Sequence, residues 1–146
     1  MNICYNYDKE NGKTNYIIED KKAIGVGYSA CHPNDMDVLS ERTGGHIAEL
    51  RAEINYLQNY KSSNIKPGLN ALKHLYATMD HSNRFNPSSY EATRLRKEIK
   101  NKEKEINKIN CKIEQLRKYL KEYIDDKDKM ANYYRTKNKI QDKNLI

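Results

Sequence analysis

Along the C-terminal part of the chain, apolar side chains recur at alternating steps of three and four: Leu95, Ile99, Ile106, Ile109, Ile113, Leu116, Leu120, Tyr123, Met130 and Tyr134. With Ile99 at an a position, residues 99, 106, 113, 120, 127 and 134 fall at a and residues 95, 102, 109, 116, 123 and 130 at d. Only Lys102 and Lys127 interrupt this seam. One register held over about five heptads predicts a long helix that buries one stripe against another helix. A break into two antiparallel helices near 125–128 would satisfy the same pattern, but no Gly or Pro enforces it. Ser88 or Ser89 is placed to cap the start of the helix.

The N-terminal third has a different period. Residues 3–7 and 14–18 are short β-prone runs, and Asn11-Gly12 between them is a strong hairpin turn because both residues tolerate positive φ. A polar turn at 19–22 leads to a third run, 23–31, whose Gly25 and Gly27 predict a bend or a close backbone approach. Three such strands need helices over one face to be stable. A helix is expected to start between Asp37 and Thr43, with Ile47, Leu50, Ile54 and Leu57 on its apolar face, and to end at 60–64. Pro67 suits the first turn of a second helix, 66–79, carrying Leu69, Leu72, Leu75, Tyr76 and Met79. A polar loop with Pro87 precedes the heptad helix. The expected fold is α+β: a small N-terminal antiparallel sheet of about three strands followed by helices. Residues 1–83 form a sheet-plus-two-helix module, and 84–146 a long basic helix for oligomerisation or partner packing.

Composition sharpens this picture. Only 37% of the 146 residues are hydrophobic, 32% are charged and mean hydropathy is −1.04. That is below the globular norm of about 45–50% apolar, so helix pairing or self-association is expected to complete the core, as a homo-oligomer of two or more copies through the 90–134 helix. Tyr supplies 12 of the aromatic residues, with one Phe and no Trp. Residues 1–83 hold 9 basic and 10 acidic side chains, and residues 84–146 hold 18 and 10, so the net charge of +7 resides in the C-terminal part. A basic stripe attracts nucleotides, nucleic acid or acidic proteins, and equally keeps a coiled coil in solution. No run approaches the ~20 apolar residues of a membrane span and no signal peptide is evident, so no membrane partner is expected. Cys4, Cys31 and Cys111 are widely spaced, which fits reduced thiols in a cytoplasmic protein.

Few residues carry recognisable chemistry. Cys31, His32 and His46 match no zinc spacing, and neighbouring Cys31 and His32 on a strand point to opposite faces, so neither a metal, a cofactor nor catalysis is expected. Gly25-x-Gly27 lacks the rest of a dinucleotide fingerprint. Gly44-Gly45 costs a helix about 1 kcal/mol each and invites a reason, either close contact or anion approach. Arg42 and Arg51 flank that pair and either contact phosphate or join salt bridges with Glu41, Glu49 or Glu53. The loop around Arg84, Phe85, Asn86 and Tyr90, followed by Arg94 and Arg96, combines aromatic face, amide and guanidinium, which suits a base and its phosphates. In the structural alternative, Phe85 plugs the sheet–helix junction and the arginines are solvated. The candidate ligand-binding set is Arg42, Arg51, Phe85, Asn86, Tyr90 and Arg94.

The Gly-rich strand, Cys31-x-Pro33-x-Asp35, Glu41-x-x-Gly44 and Ile47-Ala48-x-x-Arg51-Ala52 form a stretch of about 35 residues that resembles small phage proteins. It looks most like the Thoeris anti-defence proteins that sequester cyclic ADP-ribose signals. That resemblance implies an N-terminal antiparallel sheet, long C-terminal helices, oligomeric assembly and a non-catalytic sponge. The sponge would act in the host cytoplasm on a cyclic ADP-ribose-type or cyclic oligonucleotide ligand. A competing class is an anti-CRISPR-type inhibitor that binds a host defence effector protein directly. A third is a nucleic-acid-binding coiled coil, which Glu98, Glu103, Glu105, Glu114 and Glu122 among the lysines argue against.

Overall fold

The computed structural model describes residues 1–30, 41–82 and 84–144, with side chains through Lys129. Strands β1 (Asn2–Asp8), β2 (Lys13–Glu19) and β3 (Ile24–Ala30) form one antiparallel sheet in the order β1-β2-β3. Helix α1 (Glu41–Tyr60), a π-helical turn (Lys61–Ile65) and α2 (Lys66–Asp80) follow, and then the long α3 (Tyr90–Asn144). The α+β architecture expected from the sequence is the one observed. Two details differ, and one alternative left open by the pattern is decided. The first hairpin turns through four residues, with positive φ at Gly12 alone; the Asp8 carboxylate accepts the backbone N–H groups of Glu10 and Asn11 and closes the loop without Asn11 entering the left-handed region. No interruption separates α1 from α2, because the backbone stays right-handed helical through the π-helical turn at Tyr60 and Lys66. There the Ser63 hydroxyl donates to the Asn59 carbonyl at 2.6 Å, a back-bond that competes with the regular ladder. Finally, α3 stays helical through 125–128.

The sheet packs on α1 through missing side chains. Thr14 and Ile18 on β2 and Gly25, Gly27 and Ser29 on β3 face the helix and are buried. Opposite them on α1 lie Ala48 and Ala52, one turn apart and fully buried. A Cβ on Gly27 would stand 1.8 Å from the Ala48 carbonyl oxygen, and one on Gly25 would stand 2.3 Å from that of Ala52. Backbone meets backbone here, so the strand glycines mark close approach and no bend is needed to explain them. Gly44 and Gly45 have the same origin: Gly44 lies over Thr14 and Ser29 and its carbonyl accepts the Ser29 hydroxyl at 2.7 Å, while Gly45 lies against the Tyr5 ring.

Helix α1 also seals the outer edge of β3. Arg51, Asn55 and Asn59, spaced by one turn, reach the edge carbonyl of Tyr28 (2.7 Å), the N–H of Val26 (2.9 Å) and the carbonyl of Ile24 (2.8 Å). An edge strand left open invites pairing with another chain, and this ladder removes that option on one side.

The heptad seam of α3 finds its partner inside the same chain. Ile109 and Ile113 are buried with Ile54 and Ile65, and Leu57, Tyr60, Ile106, Leu116 and Leu120 pack around them. Further along, Leu69 and Leu95 are buried, Lys73 pairs with Glu103 at 3.3 Å, and Arg96 donates to the Tyr76 hydroxyl at 3.2 Å. The contacts run in opposite directions along the two segments, so α1–α2 and α3 form an antiparallel pair. Ser89 caps α3, its hydroxyl oxygen accepting the N–H of Ala92 at 3.2 Å. Lys102 breaks the seam where Gly68 leaves room, its side-chain carbons lying about where a Cβ on that glycine would touch. No helix among the described residues is long and apolar enough to cross a membrane.

Candidate functional site

Where the first described turns of α1 meet α3 near Lys127, the two helices frame a cleft of about 520 Å³. Its lining is Arg42, Thr43, His46 and Glu49 from α1 with Tyr123 and Lys127 from α3. The seam changes character here. Nearer the middle of α3 it is closed by isoleucines, whereas at this end the d-position Tyr123 and the a-position Lys127 face Arg42 and His46.

The rings form one cluster. The His46 ring stands edge-on to Tyr123, with centroids 4.7 Å apart, and to Tyr119 at 5.9 Å. Its Nε2 lies 3.4 Å from the Tyr119 hydroxyl, and its Nδ1 lies 3.9 Å from a Glu49 carboxylate oxygen. Lys127 Nζ sits 5.3 Å from the Tyr123 ring centre, a cation–π arrangement that fixes the ammonium at the cleft wall. Among the described residues, Glu49 is the one carboxylate in the lining. Below it Glu53 is half-buried, and its carboxyl is pushed up by burial first and by the neighbouring Glu49 second. Burial likewise raises the Tyr16 phenol, with Glu49 and Glu53 adding to it. The acidic pair therefore lies toward the sheet, and the cationic side of the cleft is formed by Arg42 and Lys127.

The six residues singled out from the sequence separate into three places. Arg42 lies in the cleft. Arg51 is committed to the β3 edge through the Tyr28 carbonyl. Phe85, Asn86, Tyr90 and Arg94 lie at the other end of α3; Arg94 and Lys127 are 33 residues apart on one helix, roughly 50 Å at 1.5 Å per residue. There Phe85 packs edge-on against Tyr76, centroids 5.8 Å apart, and so does not plug the sheet–helix junction. Asn86 accepts the N–H of Ser88 with its side chain, shaping the cap. Arg96 is not simply solvated: it donates to the Pro87 carbonyl at 2.7 Å and covers Tyr76. Tyr90 is 80% exposed, and Arg94 pairs with Glu98 on the surface at 3.8 Å. One chain thus does not bring Arg42 together with the loop set. His46 was weighed only as a metal ligand, and Tyr119, Tyr123 and Lys127 were missed, the last two because the heptad pattern explained them as seam. The available signal was the seam lysine itself, since a charge at an a position needs a polar or open partner opposite.

Cys31 and His32 lie outside the described residues. Among the described residues, no three His, Cys, Asp or Glu side chains gather as a metal site. Compared with protein-family models, with curated proteins and with solved structures, the chain has no match in any of the three.

Proposed function

We propose that this protein binds and sequesters a small anionic nucleotide, of the second-messenger class, without converting it. The observation that carries this reading is the cleft itself: two cations, Arg42 and Lys127, stand beside a cluster of three rings, His46, Tyr119 and Tyr123. Phosphate oxygens match the guanidinium fork and the ammonium, and a base offers a flat face to aromatic side chains. The likeness of the strand and of the 41–52 stretch to sponge proteins supports the same ligand class, cyclic ADP-ribose isomers or cyclic oligonucleotides, and a phage anti-defence role in the host cytoplasm.

Self-association belongs to this proposal in an altered form. The seam from Leu95 to Leu120 packs on α1 and α2 within one chain, so the proposed self-association uses a surface other than that stretch of the seam. A second copy would also be the means of bringing the Arg94 end of one α3 to the Arg42 end of another.

Isothermal titration of the full chain with cyclic ADP-ribose isomers and cyclic di- and trinucleotides tests the reading. Saturable heat with at least one of them is expected, with the ligand recovered intact after denaturation of the protein. Arg42→Ala and Lys127→Ala should each weaken binding about tenfold, as loss of one charge-assisted contact does. Absence of heat with every member of the panel would refute it, and capture of a host effector protein in its place would favour the direct inhibitor.

A further inference from the structure

Helix α3 has a second organised face, directly opposite its seam. At 3.6 residues per turn, the b, c and f positions between 97 and 118 lie on the side away from α1 and α2. Lys97, Lys100, Lys104, Lys108, Cys111, Gln115 and Lys118 occupy that line, and all are exposed. Of the glutamates that make this region look charge-mixed in sequence, only Glu114, at a b position, borders this face. Glu98 pairs with Arg94, Glu103 with Lys73 across the helix pair, and Glu114 with Arg117, while Glu105 is half-buried on the flank. Among the described residues, no stripe lysine lies within ion-pairing distance of a carboxylate. Five uncompensated ammonium groups therefore follow one straight line of roughly 32 Å.

We infer that this stripe is a docking surface for the phosphate backbone of double-stranded nucleic acid, independent of sequence and separate from the Arg42 cleft. From Lys97 to Lys108 neighbouring lysines are about 4.5–6 Å apart along the axis, with Lys118 about 15 Å further on, and a duplex presents one charge per ~1.7 Å, so each of the first four can find a phosphate. The stripe has no arginine to fork onto base edges and no aromatic ring to stack on an unpaired base, which leaves backbone contact alone. A partner helix would need an apolar seam, and Cys111 is the single apolar position offered. A membrane surface would need an apolar face on the same side, which is absent here.

The test is fluorescence anisotropy of a labelled duplex DNA of random sequence titrated with the full chain at several salt concentrations. Four neutralised phosphates give a log–log salt slope of roughly −3.6, so affinity should fall about 150-fold between 50 and 200 mM salt. Lys97→Glu, Lys104→Glu and Lys108→Glu together should abolish most of the binding. The triple Gln version should reduce the slope by about three. Reversing Lys9, Lys21 and Lys66, which lie off the stripe, should change affinity less than about threefold. Circular dichroism checks that each variant is folded. No binding at 50 mM salt, equal losses in the two reversed triples, or binding to polyglutamate without binding to duplex would each overturn the inference.

Discussion

Gly27→Ala is the sharpest test of how the sheet is held. The added methyl would stand 1.8 Å from the Ala48 carbonyl oxygen and 2.4 Å from the Ala52 nitrogen, both backbone atoms of α1. Ordinary contact begins at 3.4 Å, so the helix has to retreat by about 1.5 Å, and overpacking of this kind costs about 1–3 kcal/mol. The retreat also stretches the bonds from Arg51, Asn55 and Asn59 to the β3 edge, at about 1 kcal/mol each. The expected loss is about 4–6 kcal/mol, a third or more of the stability of a domain that has about 5–15. Gly68→Ala is the internal control. Its methyl would meet only the flexible end of Lys102, at 3.4 Å, and replacing an interior helix glycine should add about 0.5–1 kcal/mol. Urea unfolding followed at 222 nm reads both variants on one scale. A Gly27→Ala loss below about 1 kcal/mol, or equal effects at the two glycines, would show that α1 does not rest on β3 backbone to backbone.

Other outcomes follow from single contacts. Thr14 is fully buried and its hydroxyl has no hydrogen-bond partner among the described residues, so Thr14→Val should be neutral or stabilising by up to about 1 kcal/mol in the same unfolding assay. Arg51→Ala should cost about 1 kcal/mol of stability and leave nucleotide affinity unchanged, and Arg42→Ala should do the reverse; calorimetry and unfolding together separate the two arginines. The Tyr5 phenol is pushed up to about 12 by burial first and by its bond to Glu41 second. Tyr56 is pushed up to about 12 chiefly by its bond to the Asp20 carboxylate. Because both folded values lie above the ordinary 10.0, their contribution is complete below pH 10 and is lost as pH rises toward 12, an alkaline decline that Tyr5→Phe with Tyr56→Phe should flatten. The opposite sign holds at acid pH. Asp20 is held below its ordinary value by the Tyr56 bond first, so its contribution is present above pH 3.8 and disappears as pH falls through its folded value, which Asp20→Asn removes.

The elements themselves were legible from local rules. Period-two runs broken by Asn11-Gly12 and by 19–22 marked three strands, and the three-four spacing from Leu95 onward marked the long helix. Ser89 as its cap followed from side-chain chemistry at a helix start. The break predicted at 60–64 was misread, because Ser and Asn there promise a turn yet are absorbed by a π-helical turn that keeps the axis going and carries Ile65 into the core. The candidate site was half legible. Arg42 was marked by its charge beside two glycines. Phe85, Asn86, Tyr90 and Arg94 were grouped with it by chemistry, although about 50 Å of helix separates the two groups in one chain.

What the sequence determined by itself was periodicity: which residues share a face of a strand or helix, and that Gly25, Gly27, Gly44 and Gly45 stand where something comes close. Each follows from backbone geometry within a few residues. The tertiary structure decided what each face meets. It gave the heptad seam an intrachain partner, put Arg51 on a strand edge, joined Arg42 to Tyr123 and Lys127 across 81 and 85 positions of sequence, and paired Glu103 of α3 with Lys73 of α2. Pairings of that kind depend on where a chain returns after a long excursion, and residue spacing carries no information on that distance.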